Sequence, residues 1–138
     1  MTPLQKKLVR QTFDDLVPLA PQAAALFYGR LFEIAPSLRP LFKADLAMQG
    51  QKLFQMLGFC MGQLDDPDVL LPKVRELGRR HVAYGVKEAD YDQVGTALLW
   101  TLEAGLGTAY TPEVKDAWTA VYQILAATMN EGARSARA

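Results

Sequence analysis

His81 is the only imidazole in the 138-residue sequence, and it lies on an apolar stripe. Leu70, Val74, Leu77, His81 and Tyr84 recur at intervals of four, three, four and three, the repeat of one helix face. The opposite face carries Lys73, Arg75, Glu76, Arg79 and Arg80, so the imidazole turns inward. Two chemistries fit an inward imidazole. It can be a core histidine with both ring nitrogens hydrogen-bonded, or the single axial ligand of an iron held in a porphyrin, which needs only one protein ligand. A zinc site built on two imidazoles is excluded within one chain. Two further polar groups interrupt apolar stripes. Gln49 lies one turn before Leu53, at the edge of a second apolar face, where it can face water or donate inward. Tyr28 lies one turn before Leu31 and Phe32 on the core face of its helix; such a tyrosine either buries its hydroxyl against a partner or carries it out to solvent. Cys60 falls inside the apolar run Gly58-Phe-Cys-Met61. No second histidine could activate its thiol, so core packing is its expected role.

These residues need elements to position them, and the composition says which kind. Half of the residues are hydrophobic and 22% are charged, the balance of a globular chain. The length is that of one domain, 1–138. Fifteen basic and fifteen acidic residues cancel, which disfavours a dedicated nucleic-acid binder. A lone cysteine rules out an intrachain disulfide. The N-terminus lacks the apolar core of a signal peptide, and the apolar stretches fall short of the ~20 residues of a membrane span. No membrane partner is expected, and the cytoplasm is the default compartment. Residues 132–138 are small and polar and are expected to fray.

Proline and glycine divide the rest into six or seven helices, an all-α class. Leu4, Leu8, Val9, Thr12, Phe13 and Leu16 define a first helix, ended by Pro18 and Pro21. A second runs from about Pro21 to Ala35, followed by a tight turn, Pro36 to Phe42, too short for a full helix. A long helix from about Asp45 to Leu64 places Leu46, Leu53, Leu57, Cys60 and Leu64 on one face, and Asp65-Asp-Pro67 ends it. The helix bearing His81 stops near Gly85; the next spans about Glu88 to Leu106. Thr111-Pro112 starts the last, with threonine as N-cap and proline in the first turn.

In this order, five segments resemble a three-over-three globin over essentially the whole length: Leu26-Phe-Tyr-Gly-Arg-Leu-Phe32, Pro36-Ser-Leu-Arg-Pro-Leu-Phe42, Leu77-Gly-Arg-Arg-His-Val-Ala-Tyr-Gly-Val86, Tyr91-Asp-Gln-Val-Gly-Thr-Ala-Leu-Leu99 and Ala117-Trp-Thr-Ala-Val-Tyr122. The chain is similar to single-domain bacterial hemoglobins, to neuroglobin and to the heme domain of flavohemoglobins. The resemblance implies heme b (iron protoporphyrin IX) with His81 as proximal iron ligand. It implies Phe42 packed on the porphyrin, Gln49 and Leu53 on the distal side, and Tyr28 as a distal tyrosine. Val86, Tyr91, Val94 and Leu98 would line the proximal side, and Leu77 would also contact the cofactor. Lys52 and Arg80 would reach the propionates, or simply face water.

The resemblance also implies a class of function. Tyr28 and Gln49 would both donate hydrogen bonds to dioxygen in the pocket, giving high affinity and dioxygenation of nitric oxide to nitrate with an external reductant, while the lack of a second histidine implies a five-coordinate ferrous iron. Carbon monoxide would be a further diatomic ligand, and the chain a monomer or weak homodimer. Non-catalytic oxygen storage or scavenging is the second expectation, a heme-based gas or redox sensor the third. Two departures stand out. Flavohemoglobins carry a reductase domain, so electrons would come from a separate protein. Their proximal network pairs a tyrosine, matched by Tyr91, with a glutamate whose position falls on Ala133.

Overall fold

The computed structural model of the protein describes residues 1–43 and 45–137. Six α-helices occupy them, with no strand among the described residues: α1 Pro3–Leu16, α2 Ala20–Ile34, α3 Leu46–Gly62, α4 Pro67–Ala83, α5 Asp90–Leu106 and α6 Pro112–Arg137. Short 3-10 turns cover Val17–Leu19, Pro36–Leu41 and Gly107–Ala109.

Local chemistry explains the boundaries. Thr2 caps α1 in a reciprocal box: its hydroxyl accepts from the Gln5 amide at 3.1 Å and its own amide donates to the Gln5 side chain at 3.0 Å, filling two of the free groups at a helix start. Proline stands in the first turn of α1, α2 and α4, where its missing amide costs nothing. Ala35 leaves the helical region at φ −141°, as the residue before a proline tends to do. Gly107, at φ +57°, ends α5. The Thr111 hydroxyl accepts from the Val114 amide at 3.2 Å to open α6.

The helices stack three over three. α2 packs on α5 and α5 on α6, and over them α1 and α3 lie together, with α3 on α2, α1 on α6 and α4 on α6. Val9, Phe13, Leu31, Leu102, Trp118 and Val121 form part of one buried core between the layers. Each such side chain contributes about 1.5–3 kcal/mol relative to exposure. The Trp118 indole donates to the Thr12 hydroxyl at 2.8 Å, and that hydroxyl donates in turn to the Leu8 carbonyl at 2.7 Å. This satisfies a polar pair on the α1–α6 seam.

The C-terminal end departs from expectation. Instead of fraying from residue 132, α6 runs on through Arg137, with Gly132 and Ala133 buried. Side-chain size is the reason. Gly132 lies directly on the backbone of α4 at Arg75, so small residues here mark close packing.

The second finding concerns α3 and α4. α4 packs extensively on α6 alone, and α3 on α2 and α1; the two make no extensive contact with each other. On the stripe expected for α3, Cys60 and Leu64 are buried, but Leu46, Leu53 and Leu57 are only half-buried. Leu77 and His81 on α4 are likewise half-buried. These apolar side chains, left partly open on two helices, flank a narrow gap lined by Met56 of α3 and by Lys73, Glu76, Leu77 and Arg80 of α4.

Candidate functional site

Tyr28 anchors one wall. It is 5% exposed, and burial raises its hydroxyl to about pKa 12, so the phenol stays protonated as a donor. Its ring stacks on Phe32 at 6.1 Å and meets Phe42 edge-on at 5.4 Å; Phe32 and Phe42 also meet edge-on at 5.4 Å. Phe27 closes the cluster 5.1 Å from Tyr28. Among the described residues, none hydrogen-bonds the Tyr28 hydroxyl.

Glycine brings α3 onto this cluster. A Cβ on Gly50 would stand 2.6 Å from the Ala24 Cβ and 4.0 Å from the Tyr28 ring. Any larger residue would lift α3 from α2. Gln49 precedes Gly50 in the first turn of α3 and is half-buried, its amide donating to the Asp45 carbonyl at 3.0 Å. Leu53 follows one turn later. The structure thus brings Tyr28, Phe42 and the Gln49 turn together from three elements.

Phe42 is held by a device that sequence reasoning missed. Arg39 donates to the Phe42 carbonyl at 3.0 Å, and its guanidinium lies 5.2 Å from the Phe32 ring centroid. An arginine three residues before an aromatic is too common a pattern to flag this clamp. A Cβ on Gly85, which sits at φ +91°, would stand 3.1 Å from Leu41, so the loop after α4 meets the 3-10 turn that precedes Phe42.

His81 stands on the other wall. Its Nδ1 lies 2.7 Å from the Leu77 carbonyl oxygen. A carbonyl can only accept, so Nδ1 carries the proton and Nε2 keeps its lone pair. No described residue bonds Nε2. Desolvation lowers the pKa of the imidazole, against a smaller opposing effect of the Leu77 bond, and favours the neutral ring. One satisfied nitrogen and half-burial do not match a core histidine with both nitrogens paired. They match a metal ligand whose second nitrogen is oriented by a backbone carbonyl.

The expected proximal residues divide by burial. Tyr91 and Leu98 are buried, and Val86 and Val94 half-buried. The Val86 amide donates to the His81 carbonyl at 3.1 Å. Tyr122 on α6 donates to the Tyr91 carbonyl at 2.6 Å, and burial, its largest cause, raises the Tyr122 phenol far above its ordinary pKa. Only glycine at 95 lets that ring pass, because a Cβ there would stand 2.6 Å from it. Ala133 is 2% exposed, and Glu131 pairs with Arg75 at 2.8 Å on the surface. Lys52 is exposed, and Arg80 is exposed beside Glu76 at 3.5 Å. Arg80 nevertheless lines the gap between α3 and α4 beside Met56 and Leu77.

The residues fit a flat apolar group carrying one iron. Such a group needs one nitrogen ligand and apolar walls, which His81 and the half-open leucines would offer, and Tyr28 would add a donor. No cluster of three His, Cys, Asp or Glu able to hold a bare ion occurs among the described residues. Nor is any of their helices long and apolar enough to cross a membrane.

Comparison with known proteins agrees with this architecture. The family model described as Globin matches residues 25–129. Neuroglobin of Tetraodon nigroviridis is 30% identical over 92% of this chain and 89% of its own. A flavohemoprotein of Bordetella parapertussis is 35% identical over 91% of this chain but only 32% of its own. A crystal structure of a hexacoordinated heme protein from an anhydrobiotic tardigrade superposes with a TM-score of 0.87, covering 97% of this chain and 96% of the other at 19% identity. That likeness shows the fold. The extent of the family match, joined to the three-over-three packing, makes this chain a member of the globin family.

Proposed function

We propose that this globin binds heme b through His81, keeps a five-coordinate ferrous iron, and binds dioxygen beneath the Tyr28–Gln49 pair. It dioxygenates nitric oxide to nitrate with electrons from a separate reductase in the cytoplasm. The observation that carries the reading is the Tyr28 hydroxyl, held protonated on a buried ring and hydrogen-bonded by no described residue. A diatomic ligand with partial negative charge would be an acceptor for this donor. Iron protoporphyrin supplies reversible binding of diatomic gases and the one electron that nitrate formation from dioxygen and nitric oxide requires. His81 holds the proton at Nδ1 and presents Nε2. Phe42 and Leu53 exclude water, and Gln49 offers a second donor at the rim. With one histidine in the chain, bis-histidine closure of the iron is excluded.

Non-catalytic oxygen storage is favoured by a different observation: buried Ala133 stands where flavohemoglobins carry a proximal glutamate. The experiment that separates the readings starts from the heme-loaded protein, reduced under argon and then exposed to air. A high-spin ferrous spectrum giving way to a persistent oxygenated one is expected. Addition of nitric oxide then yields one nitrate per heme, and a flavin reductase sustains turnover. Stable oxygenation without nitrate would leave storage. A six-coordinate ferrous spectrum, or no heme uptake, would overturn the assignment of the site.

A further inference from the structure

α4 packs extensively on one element only, α6, so that contact fixes where His81 stands. At its closest point the contact is backbone on backbone. A Cβ on Gly78 would stand 2.6 Å from the Met129 carbonyl carbon and Cα, and closer still to the oxygen. One turn away the relation reverses: a Cβ on Gly132 would stand 2.7 Å from the Arg75 carbonyl carbon and 2.9 Å from its Cα. Each helix therefore sets a glycine on the carbonyl of the other. Residues 75 and 78 of α4 face residues 132 and 129 of α6, an arrangement that suits Cα–H to carbonyl contacts. Arg75 and Glu131 flank it with an ion pair at 2.8 Å. Gly78 precedes His81 by less than one helical turn, and Leu77, whose carbonyl orients the imidazole, is its neighbour.

We propose that Gly78 and Gly132 are positioning residues for the proximal ligand: their interlock sets the depth of α4 against α6, and through it the position of His81 Nε2. This inference rests on the heme reading of His81. The obstructing atoms are backbone and cannot rotate away. Ordinary carbon contacts lie near 3.5 Å, so a methyl at either position must part the two helices by roughly 1 Å. The rigid shift is carried to the imidazole, which moves with α4.

The test compares Gly78→Ala and Gly132→Ala with Gly62→Ala, whose added methyl meets nothing within 4 Å. In the metal-free protein, the His81 ring protons are followed by NMR. In the heme-loaded protein, the iron–histidine stretching frequency and the carbon monoxide dissociation rate are read. Both interlock variants are expected to shift the ring signals and the stretching frequency. The dissociation rate should change on the order of tenfold, since a displacement of ~1 Å at a reacting centre can cost up to ~100-fold. Gly62→Ala stays at wild-type values. In a His81→Gly background complemented with free imidazole, which is not tied to α4, the effect of Gly78→Ala disappears. A folded interlock variant with wild-type frequency and rate would overturn the proposal, as would an undiminished effect with untethered imidazole. Should Gly78→Ala not fold, Gly132→Ala, near the end of α6, decides on the same criteria. Should the wild-type chain take up no heme, the functional reading fails while the metal-free NMR comparison still judges the interlock.

Discussion

Replacing Tyr28 by Phe separates what the hydroxyl contributes to the fold from what it contributes to ligand binding. The ring keeps its contacts with Phe27, Phe32 and Phe42, so packing is conserved. The metal-free protein loses a hydroxyl that no described residue hydrogen-bonds. Removing an unpaired polar group is neutral or stabilising, where removing a paired one costs about 1 kcal/mol. The metal-free Tyr28→Phe protein should therefore unfold in urea at or slightly above the wild-type midpoint. Ligand binding should move the other way. A hydrogen bond to a charged or partly charged acceptor is worth about 1.5–3 kcal/mol, and 1.4 kcal/mol is a factor of ten. Dioxygen should leave the variant roughly 10- to 100-fold faster. Carbon monoxide carries little negative charge, and its dissociation should change far less. Stopped-flow displacement of each gas gives both rates. A change below about threefold for dioxygen, or an equal change for the two gases, would refute the reasoning, because both outcomes remove the selective donor.

Thr12→Val leaves the Trp118 indole proton buried without an acceptor, and should cost about 1–3 kcal/mol in urea unfolding; an unchanged midpoint would mean that the bond contributes nothing. Gly95→Ala drives a methyl into the Tyr122 ring and should destabilise by about 1–3 kcal/mol, more than Tyr122→Phe, which loses only the bond to the Tyr91 carbonyl. Asp65 is held below its ordinary pKa, first by the Lys6 hydrogen bond and then by Arg10. A depressed carboxylate stabilises the fold above its unfolded pKa and ceases to as pH falls through the lower folded value, so Asp65→Asn should flatten that part of the acid unfolding curve; identical acid limbs would show the pair to be inert. Cys60 is 2% exposed, with burial raising its thiol to about pKa 11, so alkylation at pH 8 should proceed only after unfolding; prompt labelling of native protein would contradict this.

Much of the architecture was legible because proline and glycine punctuate the chain with simple local rules. The long helix expected from Asp45 to Leu64 spans Leu46–Gly62, and the one expected from Glu88 spans Asp90–Leu106. The ends differ because caps and frays depend on a few hydrogen bonds. The last helix was misjudged at Gly132, since composition reports polarity and size but not that another backbone lies against that glycine. In the site, His81 and Tyr28 were visible as polar groups on apolar stripes. The closure of Phe42 over Tyr28, and the approach of Gly50 to Ala24, depend on where the 3-10 turn Pro36–Leu41 and the start of α3 lie against α2, which no periodicity encodes. Lys52 and Arg80 have types that suit an anionic rim, and both are exposed, with Arg80 beside Glu76; exposure is common to such a rim and to a solvated face.

The bond from the Trp118 indole to the Thr12 hydroxyl spans 106 residues of sequence, and this has a consequence for synthesis. At ~5–20 residues per second, a ribosome needs about 5–20 s to bring Trp118 out after Thr12. Through that interval the face of α1 formed by Val9, Phe13 and Leu16 lacks its α6 partner and must wait, loosely covered or held by a chaperone. Codon changes that slow translation between α2 and α6 should therefore lower the yield of this globin more than equal delays placed before α1 has been synthesised.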